Sequence, residues 1–146
     1  MKKIIFLGIV IMLFAVTSGC TFLKVNIGED VQPLTEKVVS GEGRDKVLLL
    51  DISGVIMGGD GEPVLGGRKK PGLIVRTREA LDRARQDERV KAVVLRINSP
   101  GGGVTASDIL YHELRKFKQE TGVKIVAHIM DVGASGAYYA ALAADA

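Results

Sequence analysis

Val90-Lys-Ala-Val-Val-Leu-Arg-Ile-Asn-Ser-Pro-Gly-Gly-Gly103 joins two kinds of sequence. Val90 to Ile97 is nearly continuous in β-branched and apolar residues, the pattern of a buried strand. Asn98 to Gly103 breaks that run with a proline and three glycines. Ala106, Leu110, Leu114 and Phe117 then recur at helical spacing until Gly122 closes the stripe. The same order flanks this unit on both sides. Upstream, Lys46-Val-Leu-Leu-Leu-Asp-Ile52 reads as a buried strand, and Ile74, Thr77, Leu81 and Ala84 form the stripe of a helix that Asp87-Glu88 ends. Downstream, Val123 to Met130 reads as a third strand and Gly136 to Asp145 as a third helix of small apolar residues. Strand alternating with helix in this way predicts parallel βαβ crossovers, hence an α/β fold. No internal repeat of about 20–50 residues shows beyond that alternation.

Two strand-to-helix junctions carry the candidate chemistry. In Asp131-Val-Gly-Ala-Ser-Gly-Ala-Tyr-Tyr139, Ser135 stands at the start of the third predicted helix. Unpaired N–H groups and a positive dipole end are expected there. Gly133, Ala134, Gly136 and Ala137 remove side-chain bulk, so a peptide backbone can approach the hydroxyl. The plain alternative is a serine that caps an ordinary helix. At the other junction, Pro100 fixes one dihedral, and Gly101 to Gly103 can take positive φ and turn N–H groups toward a carbonyl. Its plain alternative is a tight turn. Ser99 precedes proline and reads as capping that turn, as does Asn98. A nucleophile beside an oxyanion site is the minimum equipment for acyl transfer.

Ile97-Asn-Ser-Pro-Gly-Gly-Gly-Val-Thr105, the helix after it, Lys124-Ile-Val-Ala127 and Gly133-Ala-Ser-Gly-Ala-Tyr-Tyr139 together resemble the signal peptide peptidase A family. The resemblance runs from Lys46 to the C-terminal residue. Ser-Pro-Gly-Gly alone is shared with Clp-type and stomatin-operon proteases. The resemblance implies a Clp protease/crotonase-like fold, a membrane-associated serine–lysine endopeptidase acting on peptides such as cleaved signal peptides, and a homo-oligomer. It makes Ser135 the nucleophile and the N–H groups of Gly102 and Gly136 the oxyanion site. It also implies a lysine base, and no lysine here fits. Lys91 and Lys124 start strands, Lys116 and Lys118 lie on a helix, and Lys69 and Lys70 lie in a loop. His128 reads as a core or sheet-face residue of the third strand, and His112 as solvent-facing beside Asp108 and Lys116. In short-form members the base lies well downstream of the serine. Ala144-Asp-Ala146 falls where the family continues into another strand, so residues 46–146 are expected to be the N-terminal part of the peptidase domain, inactive alone.

The N-terminus points to export. Lys2 and Lys3 precede the apolar run Ile4 to Val16, and Thr17-Ser-Gly-Cys20 follows. A basic start, an apolar stretch of about 13 residues and small residues before a cleavage point describe a secretory signal. The run falls short of the roughly 20 residues that span a bilayer. Cys20, the sole cysteine, follows small residues as in a bacterial lipoprotein signal. The expected organisation is a signal over residues 1–19, a lipidated Cys20 and tether over 20–45, and attachment at the extracytoplasmic face of the cell membrane. An ordinary signal or an uncleaved anchor is the alternative; a membrane anchor is expected on either reading, and the site of attachment is what differs.

Composition excludes several classes. The formal charge of +3 falls to +1 once Lys2 and Lys3 leave, no footprint for nucleic acid. One cysteine and two separated histidines make neither a disulfide scaffold nor a metal cluster, and no cofactor is expected. Gly58 to Gly72, rich in glycine and carrying Arg68-Lys-Lys70, reads as a loop with a solvated charge cluster. Two other functions stay open: a truncated or degenerate relative that only binds or assembles, and crotonase-type acyl-thioester chemistry. Export argues against the thioester enzyme.

Overall fold

The computed structural model describes residues 34–59 and 71–146. Within them run β1 (Lys46–Ser53), α1 (Leu73–Gln86), β2 (Val90–Ser99), α2 (Val104–Thr121), β3 (Lys124–Gly133) and α3 (Gly136–Ala141). The strands form a parallel sheet in the order β1-β2-β3, with Leu50 opposite Leu95 and Leu95 opposite Ala127. Parallel neighbours cannot be joined by a tight turn, so α1 and α2 serve as crossovers. The expected α/β alternation is present.

Ile74, Thr77, Leu81 and Ala84 are the buried residues of α1, as their spacing predicts. Leu110, Leu114 and Phe117 of α2 are fully buried with Leu95 and Ile97 of β2 and Ile125 of β3. Each large side chain so buried contributes about 1.5–3 kcal/mol. Gly122 ends α2 with φ 70°, a left-handed cap whose N–H donates to the Lys118 carbonyl.

The strands read as buried are buried on one side only. In β1, Leu50 and Ile52 face the core, whereas Val47 is 57% and Leu49 40% exposed. Val126 of β3 is likewise 40% exposed. The physical reason is topological: sequential strand order with crossovers of one hand stacks the helices on a single face. Among the described residues, nothing covers the other. Across that open face Asp51, Arg96 and His128 stand in register. Arg96 donates from Nε and Nη2 to the two Asp51 oxygens at 2.6 and 2.8 Å. These bonds hold the Asp51 carboxyl below its ordinary range, against a smaller opposing effect of burial.

Two boundaries differ from the sequence expectation. The third strand extends past Met130 to Gly133, because its register shifts. Ile97 faces Ile129 but Ser99 faces Gly133, so two steps of β2 are matched by four of β3. The third helix stops at Ala141 instead of continuing to Asp145. Asp145 N–H donates to the Ile125 carbonyl and Ala127 N–H to the Ala146 carbonyl, both at 2.7 Å. These extended pairings along the outer edge of β3 are incompatible with helix.

Residues 34–45 are irregular. Glu36 and Asp87 both accept from Lys46 Nζ, which begins β1. Asp87 also takes the Arg89 side chain and backbone N–H, joining the end of α1 to the starts of β1 and β2. Arg89, then Lys46, hold the Asp87 carboxyl far below its usual range. A depressed folded-state pKa contributes stability above the unfolded value and loses it as pH falls. Asp87→Asn is therefore expected to lower the urea midpoint at pH 7. The gap from the unsubstituted protein should narrow as pH drops below about 4. A gap independent of pH would contradict this role.

Candidate active site

The carboxyl ends of the three strands meet at one place, the usual position for a ligand site in an open parallel sheet. After β1, Gly54 N–H donates to the Asn98 carbonyl at 3.1 Å. Ile56, fully buried, then runs beside the glycine segment that follows β2. Its N–H donates to the Gly101 carbonyl, and its own carbonyl accepts from Gly103 N–H, both at 2.9 Å. Sequence reasoning passed over Ile56. Its one signal is the apolar triplet Val55-Ile56-Met57 enclosed by Gly54 and Gly58.

The two glycine-bearing junctions, separate in sequence, are in backbone contact. A Cβ added to Gly101 would stand 2.7 Å from Gly136 N and 2.9 Å from both Ala134 O and Ser135 Cβ. On Gly102 it would lie 2.0 Å from the Ile56 carbonyl oxygen, and on Gly136 2.0 Å from Ser107 Oγ. Side chains are excluded at all three positions by close approach. Of the run 101–103, only Gly101 has positive φ, at 95°. Gly101 N–H is taken by Ser99 Oγ and Gly103 N–H by Ile56. Gly102 N–H and Gly136 N–H have no hydrogen-bond partner among the described residues.

Ser135 occupies the turn between β3 and α3, at the N-cap position, yet its side chain makes no capping hydrogen bond. Its φ of 49° makes it the one non-glycine residue with positive φ among those described. Such a conformation costs about 1–3 kcal/mol and persists only where the surroundings enforce it. Ala134 N–H donates to the Ser99 carbonyl, and Tyr139 N–H to the Ser135 carbonyl. Tyr139 anchors α3 further: its hydroxyl donates to Asp108 at 2.9 Å and its ring stacks on Tyr111 at 4.7 Å. The Asp108 bond holds the Tyr139 phenol above its ordinary range, which removes it as a base at neutral pH. The Ser135 residue itself is exposed.

Neither histidine approaches this arrangement as a partner. His128 is an exposed sheet-face residue, and His112 lies on α2 with Nε2 3.5 Å from Asp108. Five lysines bind elsewhere: Lys46 at Asp87, Lys91 at the Glu88 carbonyl, Lys116 at Glu120, Lys118 at the Ala143 carbonyl, and Lys124 at Asp145. Cys20, Lys69 and Lys70 lie outside the described residues. No cluster of metal-binding side chains occurs among the described residues. No described helix is long and apolar enough to cross a membrane. A shallow depression of about 410 Å³ lined by His112, Arg115 and Gln119 follows one face of α2 and includes none of the junction residues.

No family model matches the chain. It is 33% identical over 107 residues to "Serine protease SPPA, chloroplastic" of Arabidopsis thaliana, covering 71% of this chain and 15% of that protein. It is 32% identical over 101 residues to "Protease 4" of Haemophilus influenzae, covering 69% of this chain and 15% of that protein. A segment of "Na(+)/H(+) antiporter NhaA" of Brucella melitensis is 34% identical over 101 residues, 68% of this chain but 13% of that protein. The chain thus spans about a seventh of the length of these relatives. Protease names recur among further matches, and one of them carries the name signal peptide peptidase. These identities agree with the paired glycine and serine junctions, and the chain belongs to the signal peptide peptidase A family.

Proposed function

We propose that the chain carries the nucleophile and oxyanion donors of a serine endopeptidase with a Clp protease/crotonase-like fold. One observation carries the reading. Ser135 is held at positive φ with its hydroxyl free of any capping role, beside two glycine N–H groups left without partners among the described residues. The strained strand-to-helix turn is the physical device by which a hydroxyl is presented at a sheet's edge.

In the proposed reaction Ser135 Oγ attacks the scissile peptide carbonyl. The Oγ–C bond forms as the carbonyl π pair moves to oxygen, and Gly102 N–H and Gly136 N–H receive that charge. Collapse expels the amine, which takes a proton, and leaves an acyl-enzyme that water hydrolyses. The Oγ proton needs an acceptor, which the family resemblance makes a lysine. The proposal assigns it to residues outside those described. An ordinary lysine pKa of about 10.4 must be lowered by burial for that task. No metal or cofactor enters these steps.

The proposal extends to place and substrate. The signal-like N-terminus and Cys20 support a lipid-anchored protein at the extracytoplasmic face of the cell membrane. Peptides such as cleaved signal peptides are the proposed substrates, and self-association is expected from the family resemblance.

In the full-length protein, Ser135→Ala is expected to lower kcat/KM for a fluorogenic peptide by ~10^4-fold or more. A fluorophosphonate should label Ser135, as read by peptide mapping. Undiminished turnover in that variant rejects the nucleophile.

Strain supplies a second test. Glycine accepts positive φ where alanine does not, so Ser135→Gly should exceed Ser135→Ala in unfolding free energy by about 1 kcal/mol. Equal urea midpoints would mean that the turn relaxes.

Export is checked at the mature N-terminus. Mass spectrometry should find it at Cys20 with a diacylglyceryl thioether on sulfur. Retained Met1 or cleavage elsewhere rejects lipidation.

A further inference from the structure

Ser99, read from sequence as a residue that caps its turn, does so and more. It is fully buried, although it carries a hydroxyl. Oγ donates to the Gly54 carbonyl at 2.6 Å and accepts from Gly101 N–H at 3.1 Å. Its backbone carbonyl accepts from Ala134 N–H at 3.1 Å. One residue therefore joins the end of β1, the glycine run after β2, and the residue immediately before Ser135. A capping turn alone would require only the Gly101 bond.

The consequence lies at Gly102. Its neighbours are fixed on both sides, Gly101 N–H by Ser99 Oγ and Gly103 N–H by the Ile56 carbonyl. The Gly101 carbonyl is fixed as well, by Ile56 N–H. Gly102 N–H is the remaining donor of the run, and its direction follows from those restraints. Loss of the Ser99 hydroxyl would leave the buried Gly101 N–H without its partner and release the more exposed Gly54 carbonyl from the turn. The run could then rotate about Gly101, whose positive φ already makes it the pliable link.

We infer that Ser99 is a positioning residue for the oxyanion site: its hydroxyl orients Gly102 N–H relative to Ser135. The inference rests on the proposed serine-peptidase reading. Preorganised donors matter because they act on charge that develops only in the transition state. Misaiming one should therefore lower kcat with little change in KM.

The test uses the full-length protein, with endpoint fluorophosphonate labelling to count competent sites and a fluorogenic peptide to measure turnover per labelled site. Ser99→Ala is expected to lower kcat per labelled site about 10- to 100-fold, with KM within about 3-fold. A merely structural role would instead lower the number of labelled sites and leave kcat per site unchanged. Ser99→Cys fills the same space with a weaker hydrogen-bonding atom and decides the matter if the alanine variant fails to fold. The inference is overturned by per-site kcat within about 3-fold of the unsubstituted protein, or by lost labelling in both variants. If the unsubstituted protein shows no labelling at Ser135 and no sensitivity to Ser135→Ala, the peptidase reading has failed, not the role of Ser99 within it.

Discussion

The site depends on a backbone contact that leaves no room for side chains. Gly101 and Gly102 lie against Ala134, Ser135 and Gly136 so closely that a Cβ on Gly101 or Gly136 would overlap the neighbouring segment or Ser107. Two strand-to-helix turns from different crossovers must therefore be brought into register before either has chemical meaning. The four-against-two step between Ile129 and Gly133 advances β3 so that Gly133 reaches Ser99. A regular ladder would place Asp131 there instead.

Around that contact, hydrogen bonds are spent unevenly. Gly54, Ile56, Gly101, Gly103 and Ala134 are tied to one another or to Ser99. Among the described residues, the Gly102 and Gly136 N–H groups are left over and the Ser135 hydroxyl makes no cap. Gly102 is exposed and Gly136 half-buried, so these spare donors on either side of a serine are open to water or to an incoming carbonyl. The conformational strain at Ser135 belongs to the same pattern. It is offset by Tyr139, whose stacking on Tyr111 and bond to Asp108 hold the short α3 in place.

Much of this was legible in the sequence, for identifiable reasons. The stripe from Ile74 to Ala84 and the cap at Gly122 follow from periodicity and from glycine's tolerance of left-handed backbone, which are local properties. The juxtaposition of Gly102, Ser135 and Gly136 came through the family resemblance, since no local rule places one loop against another. What remained hidden was tertiary. Ile56 braces the glycine run through backbone groups that any residue possesses, and the reach of Ser99 to Gly54 crosses forty-five residues of chain. The early end of α3 is set by Asp145 pairing along β3, a preference that small apolar residues do not advertise. The exposed sheet face was missed because Val47 and Leu49 look the same whether or not a second layer covers them.

The central claim is that Ser135 attacks while Gly102 and Gly136 receive the negative charge. A crystal structure of the full-length protein with a peptidyl aldehyde or boronate measures this directly. A covalent bond to Ser135 Oγ is predicted, with one adduct oxygen about 2.7–3.1 Å from both glycine nitrogens. An adduct on another residue, or an oxygen turned away from Gly102 and Gly136, would contradict it.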